Sequence, residues 1–324
     1  MIFDAKRAGY ESCTACKLCV LPCPVWQQTR DLTLTLMGRA RAMQGGATAE
    51  EVRASLSACV LCGACEPVCP EDIDTVGRTL QLRAQLRDVV ASGATRPRLP
   101  DSQGGAIARS RTVILPGPGL SASGAHLAAV RAALPDAVFA VDDGHDLAFA
   151  IEAGDPLDEE RLRRFLTQFE GAREVLVGEG ILVAPLTRAL PGIPVRGVGE
   201  ALLPLARAAL GPKDFLGIES RAFHASFSRV VAIYSAVRDA TGAAMNLDLH
   251  RIAIPTGATS LQSRLGAITS VPAAEQIRWL LEGRDIARIV CESQDDLNLL
   301  EAQTDLPVVH IAALAGQAAA RRVA

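Results

Sequence analysis

Two copies of one twelve-residue cysteine pattern constrain this chain more than any other feature. The first copy, CTACKLCVLPCP, begins at Cys13, and the second, CVLCGACEPVCP, begins at Cys59. Each reads C-x2-C-x2-C-x3-C-P, and together they contain all but one of the 9 cysteines in the 324 residues. A pattern of this length that occurs twice is not a chance match. The chain must therefore contain a structure that needs thiol groups in this arrangement.

The spacing predicts two 4Fe-4S clusters. In this pattern three cysteines of one run bind one cluster, and the fourth cysteine of that run binds the other cluster. The ligands predicted for cluster 1 are Cys13, Cys16, Cys19 and Cys69. The ligands predicted for cluster 2 are Cys59, Cys62, Cys65 and Cys23. Exchange of the fourth ligand would tie the two runs together and keep the clusters close enough for electrons to pass.

Two other uses of clustered cysteines fit the sequence less well. Zinc favours pairs of C-x2-C with four ligands on each ion, whereas each run here is a three-plus-one pattern that ends in Cys-Pro. Disulfides persist in oxidising compartments, but the twelve residues before Cys13 hold no signal-peptide core and no apolar run is long enough to span a bilayer. We therefore expect a cytoplasmic chain, or a peripheral subunit on the inner face of the membrane.

Composition narrows the classes of partner. The formal net charge is -3, and no block of like charge occurs, so nucleic acid is not an expected partner. For the same reason an iron–sulfur sensor that binds nucleic acid is disfavoured, because it would need a basic face. The length and the 49% apolar content suit a chain of two domains with ordinary cores. Small molecules and other proteins remain as partners.

The spacer between the two runs, residues 24–58, predicts helices rather than β-hairpins. Apolar residues at helical spacing precede a Gly45-Gly46 break, and Thr48 with Glu51 three residues later is typical of a capping box. A further helix is predicted from Asp74 to a stop at Gly93, with the apolar residues Val76, Leu80, Leu82, Leu86 and Val89.

With these helices, residues 1–95 resemble the α-helical ferredoxin domain. That domain occurs in heterodisulfide reductase small subunits, in the iron–sulfur subunits of glycolate oxidase and anaerobic glycerol-3-phosphate dehydrogenase, and more distantly in succinate dehydrogenase. Both cysteine runs match its pattern in full. The resemblance implies a module that transfers electrons through two clusters.

The rest of the chain has a different pattern. Residues 96–110 are rich in proline and glycine and predict a linker. Residues 111–324 alternate short apolar runs with helical stretches, which favours an α/β fold. Segments within this part repeat at an offset of about 113 residues, such as IPVRGVGEA from Ile193 and LPVVHIAAL from Leu306. We therefore expect a duplicated α/β domain, with halves at about 111–215 and 216–324.

The duplication resembles the paired cysteine-rich CCG domains of the same protein families. In those families each half has a cysteine after its first strand, a Cys-Cys-Gly in its middle and a C-x2-C near its end. The aligned positions in the first half are Pro118, Asp142-Asp143-Gly144, Gly178 and Ile181. Those in the second half are Phe227, Pro255-Thr256-Gly257, Cys291 and Gln294. Only Cys291 retains a thiol, and the other side chains cannot replace soft ligands. The resemblance thus implies degenerate repeats that have lost their metal.

Ordinary structural roles are expected for the remaining polar candidates. Cys291 is interpreted as a small buried thiol at a strand end. Asp142 and Asp143 precede a glycine and favour a solvated turn. His224 and His310 lie in apolar segments, where a hydrogen-bonded core histidine is the expected role.

The leading hypothesis is an electron-transfer subunit of a multi-subunit, flavin-dependent oxidoreductase. The resemblance implies a flavin-containing dehydrogenase as partner, of the glycolate or lactate oxidase type or the methylated-amine demethylase type. The further acceptor would be an electron-transfer flavoprotein or a quinone-linked membrane partner. This chain would bind two 4Fe-4S clusters, no flavin or haem, and would have no catalytic residue of its own. The alternative is a heterodisulfide or quinone reductase subunit with an active site in its C-terminal domain.

Overall fold

The computed structural model describes residues 4–86, 111–248, 251–264 and 270–323. The predicted linker, residues 96–110, lies outside these ranges, as do Val89 and Gly93 of the helix predicted from Asp74. In the described part of the chain, none of the helices has the length and hydrophobicity that a bilayer span requires.

Short helices and turns form residues 4–86, which we call the helical region. The α-helices are α1 (Pro24–Thr29), α2 (Leu36–Gln44), α3 (Arg53–Ala58) and α4 (Thr75–Arg83). Three 3₁₀ turns span Tyr10–Ser12, Leu18–Val20 and Leu32–Leu34. Side-chain caps begin two of the helices, since Thr35 Oγ1 accepts the Gly38 N–H at 3.3 Å and Asp74 Oδ1 accepts the Gly77 N–H at 3.1 Å.

Two helix bounds differ from the sequence prediction. Thr48 and Glu51 form the reciprocal bonds of a capping box, at 2.8 Å and 3.3 Å. These bonds close a turn, however, and α3 begins only at Arg53. The helix α4 ends at Arg83, so Leu86 lies beyond it. Leu80, Leu82 and Leu86 of the predicted apolar set are buried, but the apolar spacing did not show where the backbone leaves the helix.

Two parallel sheets with flanking helices form the described residues between 111 and 323, which we call the α/β region. The strands are β1 (Thr112–Leu115), β2 (Val138–Phe139), β3 (Glu174–Val177), β4 (Val195–Gly197), β5 (Asp214–Gly217), β6 (Ala244–Met245), β7 (Leu247–Asp248), β8 (Ile252–Ala253), β9 (Arg288–Cys291) and β10 (Val308–His310). The helices are α5 (Gly117–Ser121), α6 (Gly124–Ala133), α7 (His145–Ala153), α8 (Glu159–Thr167), α9 (Val183–Ala189), α10 (Val198–Ala206), α11 (Ser220–Ala225), α12 (Phe227–Thr241), α13 (Leu261–Arg264), α14 (Ala273–Leu281), α15 (Gln294–Gln303) and α16 (Ile311–Val323). The predicted α/β fold is confirmed, and the two four-stranded sheets are parallel.

The two sheets share one topology. The first has the strand order β2-β1-β3-β4, and the second has the order β6-β5-β9-β10, with every neighbouring pair parallel. Leu115 of β1 lies opposite Val177 of β3, and Gly217 of β5 lies opposite Cys291 of β9. The strands β1 and β5 are short and fully buried, as expected for inner strands of parallel sheets covered on both faces.

The first strand of the second half lies earlier than the repeat offset placed it. Leu115 ends β1, and Gly217 ends β5 at the equivalent position of the second sheet. Pro118 lies three residues after Leu115, so its counterpart is Ser220, which lies three residues after Gly217. The placement of Phe227 at that position is therefore wrong, since Phe227 begins α12. The offset changes because α12 has 15 residues where α6 has 10, and because the antiparallel β7–β8 hairpin follows β6.

The helical region packs against both halves of the α/β region. Leu61 and Leu80 share a buried apolar cluster with residues of β1, namely Val113 and Leu115. A second apolar cluster joins the helical region to the second half through Val25, Val60, Ala64, Ile252, Ile254 and Val271. The second cysteine run therefore lies where the helical region meets the α/β region.

Candidate metal centre

The first cysteine run lies at the surface of the helical region. Ala15 and Lys17, which separate its first three cysteines, have φ values of 58° and 67°, so the chain coils tightly through left-handed conformations. Cys16 is exposed, and Cys13 and Cys19 are half-buried. Any group held by these thiols would lie close to solvent.

The last cysteine of this run is oriented by a helix start. Cys23 is the N-cap of α1, and Pro24 occupies the first helical position, where its fixed φ suits a helix. The chain therefore turns at Cys23, away from the exposed loop.

The second cysteine run is more deeply placed. Cys59 directly follows α3, and Cys62 is buried. Leu61 and Gly63 both have positive φ, at 55° and 75°. A Cβ on Gly63 would lie 3.0 Å from the Cβ of His224, so a larger residue would press against α11. The loop is thus shaped by close contact with the α/β region.

One cavity gathers the four thiols predicted to bind cluster 2. Its lining includes Cys59, Cys62 and Cys65 of the second run together with Cys23 of the first run. Most of its remaining lining is apolar, with contributions from Val25, Leu34, Leu36, Val60, Leu61, Ala64 and Val76. The two runs therefore meet as the crosswise ligand pattern requires, although the ligand assignment itself stays a prediction.

The thiols predicted for cluster 1 are also neighbours. Burial is the main cause that raises the pKa of Cys19, and nearby thiolates raise it further, to about 12. Those neighbouring thiolates belong to Cys13, Cys23, Cys69 and Cys16, which include the three other ligands predicted for cluster 1. Cys69, from the second run, thus lies near the first run.

The arrangement suits a cluster better than a single ion or a disulfide. All nine cysteines are free thiols. In the described ranges, His, Cys, Asp and Glu side chains do not converge in groups of three that could hold one metal ion. The four ligands of a cubane bind four different irons, so their sulfurs surround a volume instead of meeting at one point. Soft thiolate donors are the ligands that such iron prefers.

A buried arginine borders the cavity that gathers the thiols predicted for cluster 2. Arg39 is 1% exposed and lines this cavity. Its guanidinium donates to the Tyr10 hydroxyl at 3.2 Å, to Ser55 Oγ at 2.8 Å and to Thr79 Oγ1 at 2.8 Å. None of these partners is a carboxylate, so the positive charge is hydrogen-bonded but not neutralised by them.

A second buried arginine lies beside Cys59. Arg83 is 0% exposed, and its Nη2 donates to the main-chain carbonyls of Leu56 at 2.7 Å and Cys59 at 2.6 Å. Its Nη1 donates to the carbonyl of Glu152 at 2.8 Å. Burial lowers the pKa of Arg83, and the thiolate of Cys59 opposes that effect.

The hydrogen-bond partners named above for Arg39 and Arg83 are all uncharged. Burial of two such cations would destabilise the fold unless negative charge lies nearby. A cubane with four thiolate ligands carries net negative charge. The residues around the second run therefore fit an iron–sulfur cluster in their charge as well as in their donor atoms. Sequence reasoning missed both arginines, because nothing in LMGRARAMQ distinguishes the buried Arg39 from the exposed Arg41.

His224 also contacts the second run. It is 5% exposed, and its Nδ1 donates to the carbonyl of Cys62 at 2.6 Å. Burial lowers the pKa of His224 to about 4, so the ring is neutral near pH 7. The expectation of a hydrogen-bonded core histidine is confirmed for His224. It is also confirmed for His310, which is 2% exposed and accepts the Ala312 N–H at 3.2 Å.

The positions aligned with CCG cysteines lie near the carboxyl ends of strands. Cys291 ends β9, is 0% exposed and has a pKa raised well above its usual value by burial, as expected for a buried structural thiol. The solvated turn expected at Asp142 is wrong. Asp142 is 6% exposed because both of its oxygens accept from Arg161, at 2.7 Å and 2.8 Å. The sequence could not show this, since Arg161 lies 19 residues away.

Comparison with known proteins identifies the helical region. Residues 9–73 match a family described as the 4Fe-4S dicluster domain, a match that includes both cysteine runs. Comparisons with curated proteins and with solved structures returned no match. Membership of the whole chain in the glycolate oxidase or heterodisulfide reductase families stays a prediction. The chain therefore carries an iron–sulfur domain of the 4Fe-4S dicluster type in its helical region, and such a domain suggests electron transfer.

Proposed function

We propose that this chain is the iron–sulfur electron-transfer subunit of a multi-subunit, flavin-dependent dehydrogenase. Two 4Fe-4S clusters relay electrons between the flavin of a partner subunit and a further acceptor, which is an electron-transfer flavoprotein or a quinone-linked partner. Dehydrogenation releases two electrons, whereas each cluster carries one. A pair of clusters therefore suits a flavin that gives up its electrons singly.

The observation that carries this proposal is the meeting of the two cysteine runs around one cavity. Cys23 lines that cavity with three cysteines that lie at least 36 residues further along the chain. Such a shared arrangement supports two clusters held close together, as a relay needs. When bound, the clusters supply reversible one-electron transfer.

The chain's own residues hold and insulate this relay. Arg39 and Arg83 place buried positive charge beside the second run. The packed apolar residues around Cys62 keep water from that side, while the exposed loop at Cys16 allows close approach by a partner. The relay thus has one buried side and one accessible side.

For the α/β region we infer a degenerate CCG-type scaffold that docks a partner. Between residues 111 and 324 the sequence contains one cysteine, Cys291, and that thiol is buried. A reductase with its own C-terminal cluster would need several thiolates in this region. The shared topology of the two sheets supports the duplication, and the lost thiolates favour the relay over the reductase.

Metal analysis of protein purified without oxygen tests the proposal. We expect about eight irons per chain, four for each cluster, and two interacting paramagnetic centres after reduction. Purification of the native complex should recover a flavin-containing subunit. Zinc in place of iron, or a single cluster, would refute the relay, and additional iron assigned to the α/β region would favour the reductase.

A further inference from the structure

One buried hydroxyl group lies in hydrogen-bonding contact with a predicted cluster ligand. Thr75 Oγ1 lies 3.0 Å from Sγ of Cys65, one of the four thiols predicted for cluster 2. Thr75 is 1% exposed and lines the cavity that gathers those thiols. Between a free thiol and a hydroxyl either atom can donate, but a sulfur bound to iron has no proton. In the iron-loaded protein the Thr75 hydroxyl is therefore the donor.

The start of a helix fixes the place of this hydroxyl. Thr75 is the first residue of α4, and Asp74 before it is the N-cap. Asp74 Oδ1 accepts the Gly77 N–H at 3.1 Å, and the Thr79 hydroxyl donates to the main-chain carbonyl of Thr75 at 2.7 Å. The main chain of Thr75 is thus held on both sides, so its side chain stays beside Cys65.

A carboxylate competes with the sulfur for the same hydrogen. Thr75 Oγ1 also lies 3.2 Å from Oε1 of Glu66, an oxygen that accepts the Val76 N–H at 2.9 Å. The other oxygen of Glu66 forms an ion pair with Arg7 at 3.0 Å. A threonine hydroxyl has one hydrogen to donate. A stronger bond to one of the two acceptors therefore weakens the bond to the other.

The two neighbours of Cys65 should act on cluster 2 with opposite sign. Hydrogen bonds to the sulfurs are among the features that set the reduction potential of a 4Fe-4S cluster. An added electron makes the sulfurs more negative, so a donor at Cys65 stabilises the reduced form more than the oxidised form. The carboxylate of Glu66 opposes reduction by repulsion, and it also draws the Thr75 hydroxyl away from the sulfur.

We propose that Thr75 is a positioning residue that raises the reduction potential of cluster 2 through Cys65, and that Glu66 limits this effect by competing for the hydroxyl. The inference rests on the proposed relay function. No atom is transferred, because the hydrogen stays covalently bound to Thr75 Oγ1 and only its direction changes.

Redox titration of the iron-loaded protein, followed by electron paramagnetic resonance, tests the proposal. The signal of cluster 2 is the one that Cys62→Ser alters. At a fixed solution potential, Thr75→Val should lower the reduced-to-oxidised ratio of this signal about fivefold, because valine keeps the shape and removes the donor. Thr75→Ser keeps a hydroxyl and should restore most of the wild-type ratio. Thr304→Val is the control, since it removes a hydroxyl that donates to the Leu300 carbonyl in the second half of the α/β region.

Glu66→Gln should change the ratio in the opposite direction. It removes the negative charge and leaves a weaker competitor for the hydroxyl, so the reduced-to-oxidised ratio should rise above that of wild type. In the Thr75→Val background the same substitution should raise the ratio by a smaller factor, because only the loss of repulsion remains. Equal factors in the two backgrounds would reject the competition for the hydroxyl.

An unchanged ratio in Thr75→Val, with the iron content and both signals of wild type, would overturn the proposal and leave the relay intact. Equal losses in Thr75→Val and Thr75→Ser would also overturn it, since the hydroxyl would then have no role. If Thr75→Val does not take up iron, Thr75→Ala replaces it in both comparisons. Wild-type protein that binds fewer than two four-iron clusters would reject the relay itself, and this proposal with it.

Discussion

Arg221 and Glu152 form an ion pair that is almost completely buried. Nη2 of Arg221 lies 2.7 Å from Oε1 of Glu152, Nη1 lies 2.9 Å from Oε2, and the side chains are 4% and 0% exposed. Nη2 also donates to the carbonyl of Val60 at 3.0 Å. Glu152 belongs to the first half of the α/β region, Arg221 to the second half and Val60 to the helical region. A single guanidinium therefore joins all three parts of the molecule.

Removal of the negative charge at this junction should destabilise the fold. Glu152→Gln leaves the guanidinium of Arg221 buried without a counter-charge and weakens the contact with Arg264 at 3.2 Å. We expect a loss of about 3–5 kcal/mol in the free energy of unfolding, measured by urea denaturation of the iron-loaded protein. Glu160→Gln removes an exposed pair with Arg163 and should have little effect. Equal losses in the two variants would contradict the prediction.

Crosswise ligation makes a specific prediction for pairs of variants. Cys69→Ser should perturb the same cluster as Cys16→Ser, although these residues belong to different runs. Cys23→Ser should likewise perturb the same cluster as Cys62→Ser. Electron paramagnetic resonance of the reduced proteins distinguishes the two clusters. If Cys69→Ser and Cys62→Ser instead alter one common signal, each run binds its own cluster.

The isolated thiol serves as the control for this series. Cys291 is buried at the end of β9, in an apolar cluster with Phe215, Ile277 and Leu297 that contains no residue of either run. Cys291→Ser should therefore leave the iron content and both signals unchanged. A large loss of iron would show that this thiol takes part in metal binding.

The buried arginine beside Cys59 should raise the reduction potential of cluster 2. Arg83→Met removes a positive charge from a site that is 0% exposed, which makes the addition of an electron less favourable. At a fixed solution potential, we expect the reduced-to-oxidised ratio of cluster 2 to be about tenfold lower in this variant than in wild type. This ratio corresponds to ~1.4 kcal/mol of lost attraction between the guanidinium and the added electron. Arg83→Lys keeps the positive charge, so its reduced-to-oxidised ratio should lie between those of wild type and Arg83→Met. The exposed Arg41→Met is the control, and an equal shift in it would contradict the prediction.

A buried carboxyl group in the second half should make stability depend on pH. Burial raises the pKa of Asp296 from 3.8 to about 7, against the opposing hydrogen bond from the Thr256 hydroxyl. The folded state therefore holds the proton more tightly than the unfolded state does, and this stabilisation is lost as pH rises from about 4 to about 7. Asp296→Asn keeps an acceptor for Thr256 and does not titrate.

The measurement for Asp296 is the thermal midpoint of both proteins between pH 5 and pH 8. As pH rises towards 7, we expect the thermal midpoint of Asp296→Asn to rise relative to that of wild type. Above pH 7 the difference between the two midpoints should stay constant. A difference independent of pH would mean that the native carboxyl group titrates near its ordinary value.

Local sequence signals predicted an iron–sulfur domain, which the match of residues 9–73 to the 4Fe-4S dicluster domain supports. The spacing of the two runs does not depend on distant residues, and the hydrogen bonds between Thr48 and Glu51 span only three residues. The alternation of apolar runs likewise predicted an α/β region, because parallel strands that are buried on both faces must be apolar.

Contacts between distant segments could not be predicted in the same way. Arg83 and Asp142 would ordinarily be solvated, and each is buried because a partner arrives from elsewhere in the fold. The placement of Phe227 failed because α12 has 15 residues where α6 has 10, and no local pattern shows that difference. The burial of a charged side chain and the length of an insertion depend on the packed molecule, so a local sequence pattern does not predict either.

The unequal depth of the two cysteine runs has a consequence for handling the protein. Cys16 is exposed and Cys62 is buried. In the proposed two-cluster arrangement, dissolved oxygen and chelators would reach the cluster near Cys16 before the cluster near Cys62, so damage should begin at the loop that carries Cys16. Protein prepared in air would then retain the cluster near Cys62 longest, and its colour would fade in two stages.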